Sequence, residues 1–326
     1  MKAEILKKLR ESSDYISGQQ FCEEFGVSRT AVWKVINQLK EDGYQIEAVR
    51  NKGYRIAACP DVMTKEAVGS MLTTDWAGQT IVYFDETDST NTQAKKLGEQ
   101  GAVHGTLVLA ELQNSAKGRR GRGWIAPAGE NIYMTILLRP DIEPVHAPML
   151  TLVMAHSTVL AIRRITGLEA LIKWPNDVIV GRKKVCGILT EMSAEVDYIN
   201  HVVIGVGINV NMQEIPSDLE AKATTLSREK GELIKRADLA AEVMNRFEAD
   251  YQMFMESRDL SRLKNSYNQM LVNINKEVSI QEVDREYRGQ ALGINENGEL
   301  LVKKTDGSIE AIFAGEVSVR GIYGYV

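Results

Sequence analysis

The stretch SRTAVWKVINQLKEDGYQIEAVRNKGYRI, residues 28–56, joins a helical pattern to a strand–turn–strand pattern. Ser28 is a favourable N-cap for the helix. The apolar positions of that helix are Val32, Val35, Ile36 and Leu39. Their i, i+3, i+4, i+7 spacing predicts a single buried face. After Gly43, apolar residues alternate with polar ones on either side of a tight turn at residues 51–53, which predicts a β-hairpin.

Two shorter helical patterns precede this stretch. Residues 2–12 place Ile5, Leu6 and Leu9 on one face, and a second helix should follow Ser17-Gly18 and end at Gly26. The inward positions of this second helix are Phe21, Cys22 and Phe25. Three helices followed by a hairpin predict a winged helix-turn-helix, an architecture that binds DNA.

The outward surface of this unit carries the candidate DNA contacts. Six basic residues lie between Arg29 and Arg55, against three acidic ones. On the third helix we expect the DNA-facing residues to be Ser28, Arg29, Thr30, Trp33, Lys34 and Asn37. On the wing we expect Arg50, Lys52 and Arg55 to contact phosphates. For Trp33 the alternative is packing against the first helix.

Composition restricts the other possibilities. The 326 residues are 44% hydrophobic, enough for two or three domains, and the net charge of −5 confines any DNA contact to a local patch. The opening stretch contains no apolar segment of signal-peptide length, and the longest apolar run, residues 147–162, is shorter than the roughly 20 residues of a membrane span. We therefore expect a cytoplasmic protein that does not contact membranes. The spacing of the three cysteines and four histidines indicates neither disulfides nor a protein-held metal.

The rest of the chain divides into two further regions. A boundary is predicted at residues 59–61, after which strands and helices alternate to about residue 212 and a long helical region covers about 235–269. From about residue 272, short strands separated by turns indicate a small β-barrel. We therefore predict an α+β multidomain protein with domains at residues 1–62, 63–270 and 271–326.

The segment NSAKGRRGRGW, residues 114–124, interleaves four basic residues with three glycines. Cations on so flexible a backbone repel one another until an anion arrives, which favours a lid that closes over a carboxylate or a phosphate. The alternative is a solvated basic loop.

A second motif is KWPND, residues 173–177, followed by an apolar run and by Lys183-Lys184. Alone, it could be a turn between strands. A lysine just before a strand that enters the core is nevertheless well placed beside a transferring phosphoryl group, and Lys184 is our candidate, with Lys183 as the solvated alternative.

Two weaker signals complete the set. Residues 88–91, DSTN, either cap a helix or bind the polar head of a ligand. Residues 205–209, GVGIN, place two glycines on one face of a strand, which close backbone packing explains equally well.

Taken in order, these motifs resemble the biotin protein ligases, specifically the bifunctional biotin operon repressors that carry an N-terminal winged helix. The resemblance covers essentially the whole chain. It implies a class II synthetase-like catalytic domain and a C-terminal SH3-like barrel. It also implies that biotin and ATP, with Mg²⁺, form biotinyl-5′-AMP, and that biotin is then transferred to a lysine of a biotin carboxyl carrier protein domain. The adenylate-loaded form would dimerise and bind operator DNA as a repressor.

The resemblance also implies roles for individual residues. The catalytic residues would be Lys184 and Arg119. Biotin would be bound by Ser89, Thr90, Asn91, Gln113, Lys117, Gly118, Arg119, Lys184 and Gly187. The adenosine half would contact Trp124, Asn176, Asn209 and Arg320. No metal ligand is expected from the protein.

The chain departs from the family pattern at Ala116-Lys117, where Gly-Arg is common. Lysine keeps the charge but lacks the guanidinium fork, so retention of the adenylate should differ. Two rival interpretations are a lipoate-type ligase and a repressor that senses biotin without transferring it. The basic glycine loop and KWPND favour biotin over lipoate, and Lys184 and Arg119 favour catalysis over sensing.

Overall fold

The computed structural model describes residues 1–118, 121, 123–281 and 286–313, and the backbone alone of 318–321. The N-terminal part contains α1 (Lys2–Glu11), α2 (Gly18–Phe25), α3 (Arg29–Glu41), β1 (Gln45–Val49) and β2 (Gly53–Ala58). Side-chain caps start two of these helices: Ser17 and Gln20 form a capping box on α2, and Ser28 Oγ accepts a hydrogen bond of 3.2 Å from Ala31 N. The apolar faces predicted for α1 and α3 form a separate small core. The predicted winged helix-turn-helix is thus confirmed.

The wing is attached to the turn between α1 and α2. Ile16 and Tyr54 form an antiparallel bridge with two backbone hydrogen bonds of 2.9 Å. Gly53 has a φ of +114°, and a Cβ at this position would lie 2.0 Å from Ile16 O. Only glycine therefore fits at the base of this hairpin.

The central part is a mixed sheet covered by helices. Its strands are β3 (Ile81–Thr87), β4 (Thr106–Gln113), β5 (Ile132–Leu138), β6 (Leu171–Lys173), β7 (Asp177–Val180), β8 (Lys183–Ala194) and β9 (Ile199–Ile208). Its helices are α4 (Lys65–Gly69), α5 (Thr90–Glu99), α6 (Met149–Thr166), α7 (Leu226–Lys230), α8 (Arg236–Ser257) and α9 (Lys264–Met270). The strand order is β3-β4-β5-β9-β8-β7-β6, with β3 parallel to β4 and the other pairs antiparallel.

Helix α6 contains the apolar run noted in the sequence. The segment Pro144–Thr166 is long and apolar enough to cross a membrane, but 72% of its most apolar window is buried inside the protein. It packs against α8 and the central sheet. Helix α6 is therefore a buried core helix.

Two details differ from the prediction. Strand β8 begins at Lys183, so Lys184 lies within the strand that we had expected it to precede. The long helical region is two helices, because α8 ends at Ser257 and the next residue, Arg258, has a φ of +62° that stops the helix. A β-hairpin partner explains the first difference: β8 pairs with β7 from its first residue.

The C-terminal part is a five-stranded antiparallel sheet of order β13-β12-β11-β10-β14. Its strands are β10 (Glu277–Gln281), β11 (Glu286–Ile294), β12 (Leu300–Lys303), β13 (Ile309–Ile312) and β14 (Ser318–Gly321). The turn before β12 contacts the central part, since Trp174 Nε1 donates to Gly298 O at 3.1 Å.

A buried arginine connects the first two parts. Arg236 is 1% exposed and donates to the Asp61 carboxylate at 2.9 Å and to Glu111 Oε1 at 2.7 Å. Asp61 follows the winged helix, whereas Glu111 lies on β4, two residues before Gln113. Nearby, Arg10 of α1 donates to Asp238 of α8 at 3.1 Å. Charge pairing thus attaches the DNA-binding part to the start of α8.

Candidate active site and DNA-binding face

A cavity of about 640 Å³ lies on one face of the central sheet. The floor is formed by β8 and β9, and three segments, residues 116–118, 123–125 and 212–223, contribute to its walls. Every described residue that we assigned to biotin or nucleotide lines this cavity, apart from Arg320, for which only the backbone is described. These residues are Ser89, Thr90, Asn91, Gln113, Lys117, Gly118, Trp124, Asn176, Lys184, Gly187 and Asn209. Arg119 lies outside the described residues, as do Arg120 and Arg122 of the same loop.

One end of the cavity is polar and tightly hydrogen-bonded. Gln113 Oε1 accepts from Thr90 N at 2.8 Å and lies 3.1 Å from Thr90 Oγ1. Because the Gln113 oxygen is engaged with the start of α5, its amide NH₂ group can serve as a donor to a ligand. Thr90 and Asn91 are both less than 7% exposed, so this end of the cavity is rigid.

Ser89 occupies the N-cap position of α5 without capping it. Its side chain makes no capping hydrogen bond. Instead, Asp88 Oδ1 accepts from Ser89 N at 2.6 Å and from Gln93 Nε2 at 2.8 Å. Burial opposes ionisation of Asp88, but these hydrogen bonds outweigh it and hold the pKa of this carboxyl below its usual value. The hydroxyl of Ser89 is therefore not used by the helix end, which favours the ligand-binding interpretation of this motif.

Lys184 lies at the centre of the cavity wall. Its Nζ is 2.6 Å from Asp177 Oδ1 and 5.3 Å from the centre of the Trp124 ring. Lys184 lines the cavity and Lys183 does not, as expected for adjacent residues that point to opposite faces of a strand. Of the two lysines considered from the sequence, the structure favours Lys184.

The glycines of β8 and β9 make room for an indole ring. A Cβ at Gly187 or at Gly207 would lie 3.0 Å from atoms of Trp124. Trp124 Nε1 is buried and has no hydrogen-bond partner among the described residues. The Gly-x-Gly motif thus has a steric reason, and it brings a buried indole donor to the cavity.

The basic glycine loop begins and ends as a hairpin. Lys117 and Gly123 form an antiparallel bridge, and Trp124 N donates to Ala116 O at 3.1 Å. Lys117 and Gly118 line the cavity, so the loop adjoins the site at the point where the sequence analysis placed a lid.

At the other end of the cavity, two asparagines are held by the main chain. Asn176 Nδ2 donates to Ile188 O at 3.0 Å, and Asn209 Nδ2 donates to Thr224 O at 3.3 Å. The carbonyl oxygen of each asparagine side chain therefore points away from the main-chain carbonyl to which its NH₂ group donates. From the sequence, Arg320 was assigned to the nucleotide. The structure describes only its backbone, which pairs with that of Ser279.

Sequence reasoning missed part of this wall. The segment after Asn211 contributes cavity residues that we did not single out: Met212, Ile215, Pro216, Leu219, Ala221, Lys222 and Ala223. Lys173 and Asp177 also line the cavity, although the motif that contains them was recognised. An apolar, proline-containing loop directly after the GVGIN motif was the available signal.

The cavity is poor in negative charge. Its described lining contains Lys117, Lys173, Lys184 and Lys222 but a single carboxylate, Asp177. Within the part of the chain that the structure describes, no group of three or more His, Cys, Asp or Glu residues could hold a metal ion. The excess of lysines over carboxylates suits an anionic ligand.

A Ser–His–Asp chain does occur, but elsewhere. His156 lies 2.7 Å from Asp250 Oδ2 and 2.9 Å from Ser266 Oγ. None of the three residues lines the cavity, and they belong to α6, α8 and α9. These three hydrogen-bonded side chains connect α6, α8 and α9 and are not part of the site.

The DNA-binding face is exposed as predicted. Trp33 is 56% exposed, which excludes packing against α1. Lys34, Arg50 and Lys52 are exposed as well. Arg55 is different, because it donates to Glu47 at 2.8 Å and lies 4.8 Å from the Tyr15 ring, so its charge is already partly balanced.

These observations define a class of protein: a ligase-type enzyme with a cationic cavity for an anionic substrate, fused to a winged helix-turn-helix. Three family descriptions match successive parts of the chain, "HTH domain" at residues 2–55, "Biotin/lipoate A/B protein ligase family" at residues 83–209 and "Biotin protein ligase C terminal domain" at residues 274–320.

Full-length relatives show which family this is. The chain is 36% identical to the bifunctional ligase/repressor BirA of Bacillus subtilis (strain 168), covering 98% of this chain and 100% of the relative. It is 29% identical to the bifunctional ligase/repressor BirA of Escherichia coli (strain K12), covering 96% and 95%. A solved structure of the biotin protein ligase from Aquifex aeolicus in complex with biotin and ATP matches with a TM-score of 0.66 and 30% identity, covering 74% of this chain and 99% of that one. The chain therefore belongs to the bifunctional biotin protein ligase/repressor family, which confirms the resemblance seen in the sequence.

Proposed function

We propose that this protein forms biotinyl-5′-AMP from biotin and ATP, transfers biotin to a lysine of a biotin carboxyl carrier protein domain, and represses the biotin operon in response to biotin. The observation that carries the enzymatic part is the cavity that joins a hydrogen-bonded polar end to a wall containing Lys184. The exposed basic face of α3 and the wing carries the repressor part.

In the first step a carboxylate oxygen of biotin attacks the α-phosphorus of ATP. The new O–P bond forms as the bond from the α-phosphorus to the bridging oxygen breaks, and pyrophosphate leaves with the electron pair. Two anions must approach each other, and the ammonium groups of Lys184 and Lys117 lower that repulsion. Mg²⁺ arrives with the ATP phosphates, which fits a cavity whose described lining offers one carboxylate.

Asp177 has a defined part in this step. Its carboxylate holds Lys184 at 2.6 Å before substrate binds, so the lysine needs little reorganisation when the biotin carboxylate arrives. Lys184 then stays beside the adenylate phosphate.

In the second step the amine of the acceptor lysine attacks the biotinyl carbonyl carbon. An amide bond forms, the bond to the phosphate oxygen breaks, and AMP leaves, while the amine loses a proton. No enzyme nucleophile is needed. Water must be excluded from the mixed anhydride, and the loop that begins at Lys117 is positioned to cover it.

The site assignments follow from this scheme. Ser89, Thr90, Asn91 and Gln113 hold the polar head of biotin, and Gly187 lies under its acyl chain. Trp124, Asn176 and Asn209 surround the adenosine half, joined by Arg320 from the C-terminal sheet. Arg119 acts with Lys184 on the phosphate.

For repression, two protomers loaded with the adenylate form a homodimer in the cytoplasm. Each inserts α3 into the major groove, so the operator half-sites lie about 34 Å apart or a multiple of it. Lys34 faces the bases or the backbone, while Arg50 and Lys52 contact phosphates. Since Arg55 is paired with Glu47, we expect it to contribute less to DNA affinity than Arg50.

The enzymatic proposal is tested by incubating the protein with ATP, Mg²⁺, biotin and a biotin carrier domain, with lipoate in a parallel reaction, and measuring the intact mass of the acceptor. We expect a biotin-dependent gain on one lysine. Lys184→Ala should slow adenylate formation by ~100-fold or more, as for loss of one charge-stabilising donor, whereas Lys183→Ala should not. Tight biotin binding without any transfer would instead support the repressor that only senses biotin.

The repressor proposal is tested by fluorescence anisotropy with DNA from the biotin operon promoter. Lys34→Ala and Arg50→Ala should each weaken binding and lower the salt dependence by about one phosphate contact, and Arg55→Ala should have the smallest effect. Wild-type affinity in the first two variants at equal salt would contradict this docking.

A further inference from the structure

A chain of hydrogen bonds runs from the protein surface into the polar end of the cavity. Lys95 Nζ donates to Glu191 Oε1 at 2.7 Å, and Asn91 Nδ2 donates to Glu191 Oε2 at 2.8 Å. On its other side, Asn91 Oδ1 accepts from Thr135 Oγ1 at 2.7 Å. Thr135 Oγ1 is also 2.8 Å from Thr90 Oγ1. Thr135 is fully buried, so the chain continues without water between its members.

The carboxylate of Glu191 is the nearer of two acceptors that orient this chain; the other is Leu189 O, which accepts from Asn91 Nδ2 at 3.2 Å. An ionised carboxylate can only accept, so Asn91 must turn its NH₂ group towards Glu191 and its oxygen towards Thr135. A hydroxyl has one proton, and that of Thr135 goes to the Asn91 oxygen. Thr90 Oγ1 also lies 3.1 Å from Gln113 Oε1, a second acceptor for its proton, but with the Thr135 proton engaged by Asn91 only Thr90 can supply a proton to the shorter contact of 2.8 Å between the two threonines.

This arrangement determines what the cavity offers to a ligand. With its proton directed at Thr135, Thr90 presents an oxygen that can accept a hydrogen bond. Gln113, whose oxygen is engaged by Thr90 N, presents an NH₂ donor close by. An acceptor beside a donor complements the N–H and C=O groups of a cyclic urea, which is the polar head of biotin.

We propose that Glu191 is a positioning residue that fixes the donor and acceptor pattern of the head-group site through Asn91, Thr135 and Thr90. This inference rests on the proposed function and extends it to specificity, because a ligand head without a urea-like donor and acceptor pair gains nothing from the pattern. Glu191 lies on β8 and is absent from the cavity lining, so it acts without touching the ligand.

Two further observations agree with this role. Burial opposes the charge of Glu191, but hydrogen bonds from Lys95 and Asn91 outweigh it and hold the pKa of this carboxyl below its usual value, so it is ionised at neutral pH. The Asn91 carboxamide also lies flat against Gly205, where a Cβ would be 2.1 Å from its oxygen. Its rotation is restricted on that side, and its polarity is set by the carboxylate.

The substitution Glu191→Gln tests this role at constant shape. Lys95 and Asn91 Nδ2 both donate to residue 191, and only a carboxylate has an accepting oxygen for each. Glutamine must leave one of the two donors facing an NH₂ group. Because Lys95 is a cation, we expect it to take the glutamine oxygen, so that the NH₂ group of Asn91 faces that of the glutamine. This repulsion should outweigh the remaining hydrogen bond to Leu189 O and displace the carboxamide.

The expected result in isothermal titration calorimetry is about tenfold weaker biotin binding by Glu191→Gln, with the KM for ATP and the kcat at saturating biotin unchanged. Adding Lys95→Met should restore binding to within about threefold of wild type, since the glutamine oxygen is then free to face Asn91. Glu195→Gln, an exposed residue on the turn after β8, is the matched control. A purely structural role for the pair predicts no rescue by a second substitution.

The outcomes are distinguishable from failure of the proposed function. If the wild-type protein does not bind biotin, the proposed function is refuted. If the wild-type protein binds biotin and Glu191→Gln binds it equally well, or if Lys95→Met fails to rescue the affinity, only the positioning role is overturned. Thermal melting of the wild type and the three variants verifies that each is folded before binding is compared.

Discussion

Replacement of Gly205 by alanine should abolish most biotin affinity without unfolding the protein. The added Cβ would lie 2.1 Å from Asn91 Oδ1 and 2.9 Å from its Cγ, so the carboxamide must move by about 1 Å or more to reach ordinary contact distance. That movement breaks the hydrogen bonds of Asn91 to Thr135 and Glu191 in a buried environment. Leaving such groups unsatisfied costs about 1–3 kcal/mol each.

If the displaced Asn91 no longer supports the head-group contacts and about 3 kcal/mol of binding free energy is lost, biotin binds ~100-fold more weakly. The assay is calorimetric titration of biotin into Gly205→Ala, with thermal melting recorded in parallel. Gly69→Ala is the control for the substitution itself, because its Cβ would lie no closer than 3.7 Å to any neighbour. If Gly205→Ala bound biotin with wild-type affinity, Asn91 could not be part of a rigid head-group site and the reasoning would be wrong.

Three further predictions concern stability, reactivity and the lid. Arg236→Met should lower the free energy of unfolding by about 2–3 kcal/mol and the melting temperature by roughly 5 °C, because it leaves the carboxylates of Asp61 and Glu111 without their cation. Both carboxylates are partly exposed, so the effect is smaller than for a fully buried pair. An unchanged melting temperature would contradict this prediction. Burial raises the pKa of the Cys186 thiol, so native protein at pH 8 should resist alkylation at this position while the two half-buried cysteines react, as measured by peptide mass mapping. The stability that this raised pKa provides is present below about pH 8.5, where the unfolded thiol is protonated, and is lost as the pH rises further. The double substitution Ala116→Gly and Lys117→Arg should slow release of biotinyl-5′-AMP in a stopped-flow chase, because arginine can bind phosphate with two hydrogen bonds; unchanged release would refute this.

The N-terminal fold was predictable because its signals are local. Ser17 and Ser28 cap helices, Gly26 ends one with a φ of +64°, and period-3.6 and period-2 patterns change at Gly43. Each of these features acts within a few residues, so the sequence alone is sufficient to detect it. The break between α8 and α9 was missed because Arg258, a non-glycine residue in the left-handed region, gives no such signal.

The site was predictable only in part, for a different reason. Short motifs identified Thr90, Asn91 and Lys184, but what each one contacts depends on strands that are distant in sequence. Asn91 reaches Glu191 across 100 positions, and nothing local marks Glu191 as a partner. Likewise, Gly205 was consistent with simple backbone packing until the carboxamide of Asn91 was seen against it.

The distribution of charge connects the two proposed activities. The whole chain has a net charge of −5, yet the described cavity lining holds four lysines and one carboxylate, and the outer face of α3 and the wing is basic. Cations that are concentrated in these two places attract phosphates there, while the net negative charge of the chain opposes binding elsewhere. Because surface charges are screened within ~10 Å at 0.1 M salt and buried ones much less, added salt should weaken DNA binding strongly and adenylate formation only slightly. The two activities should therefore separate in a salt titration of one preparation. A parallel decline of both would show that Lys184, half-buried on β8, and Lys173, buried on β6, are more exposed to solvent than the structure indicates.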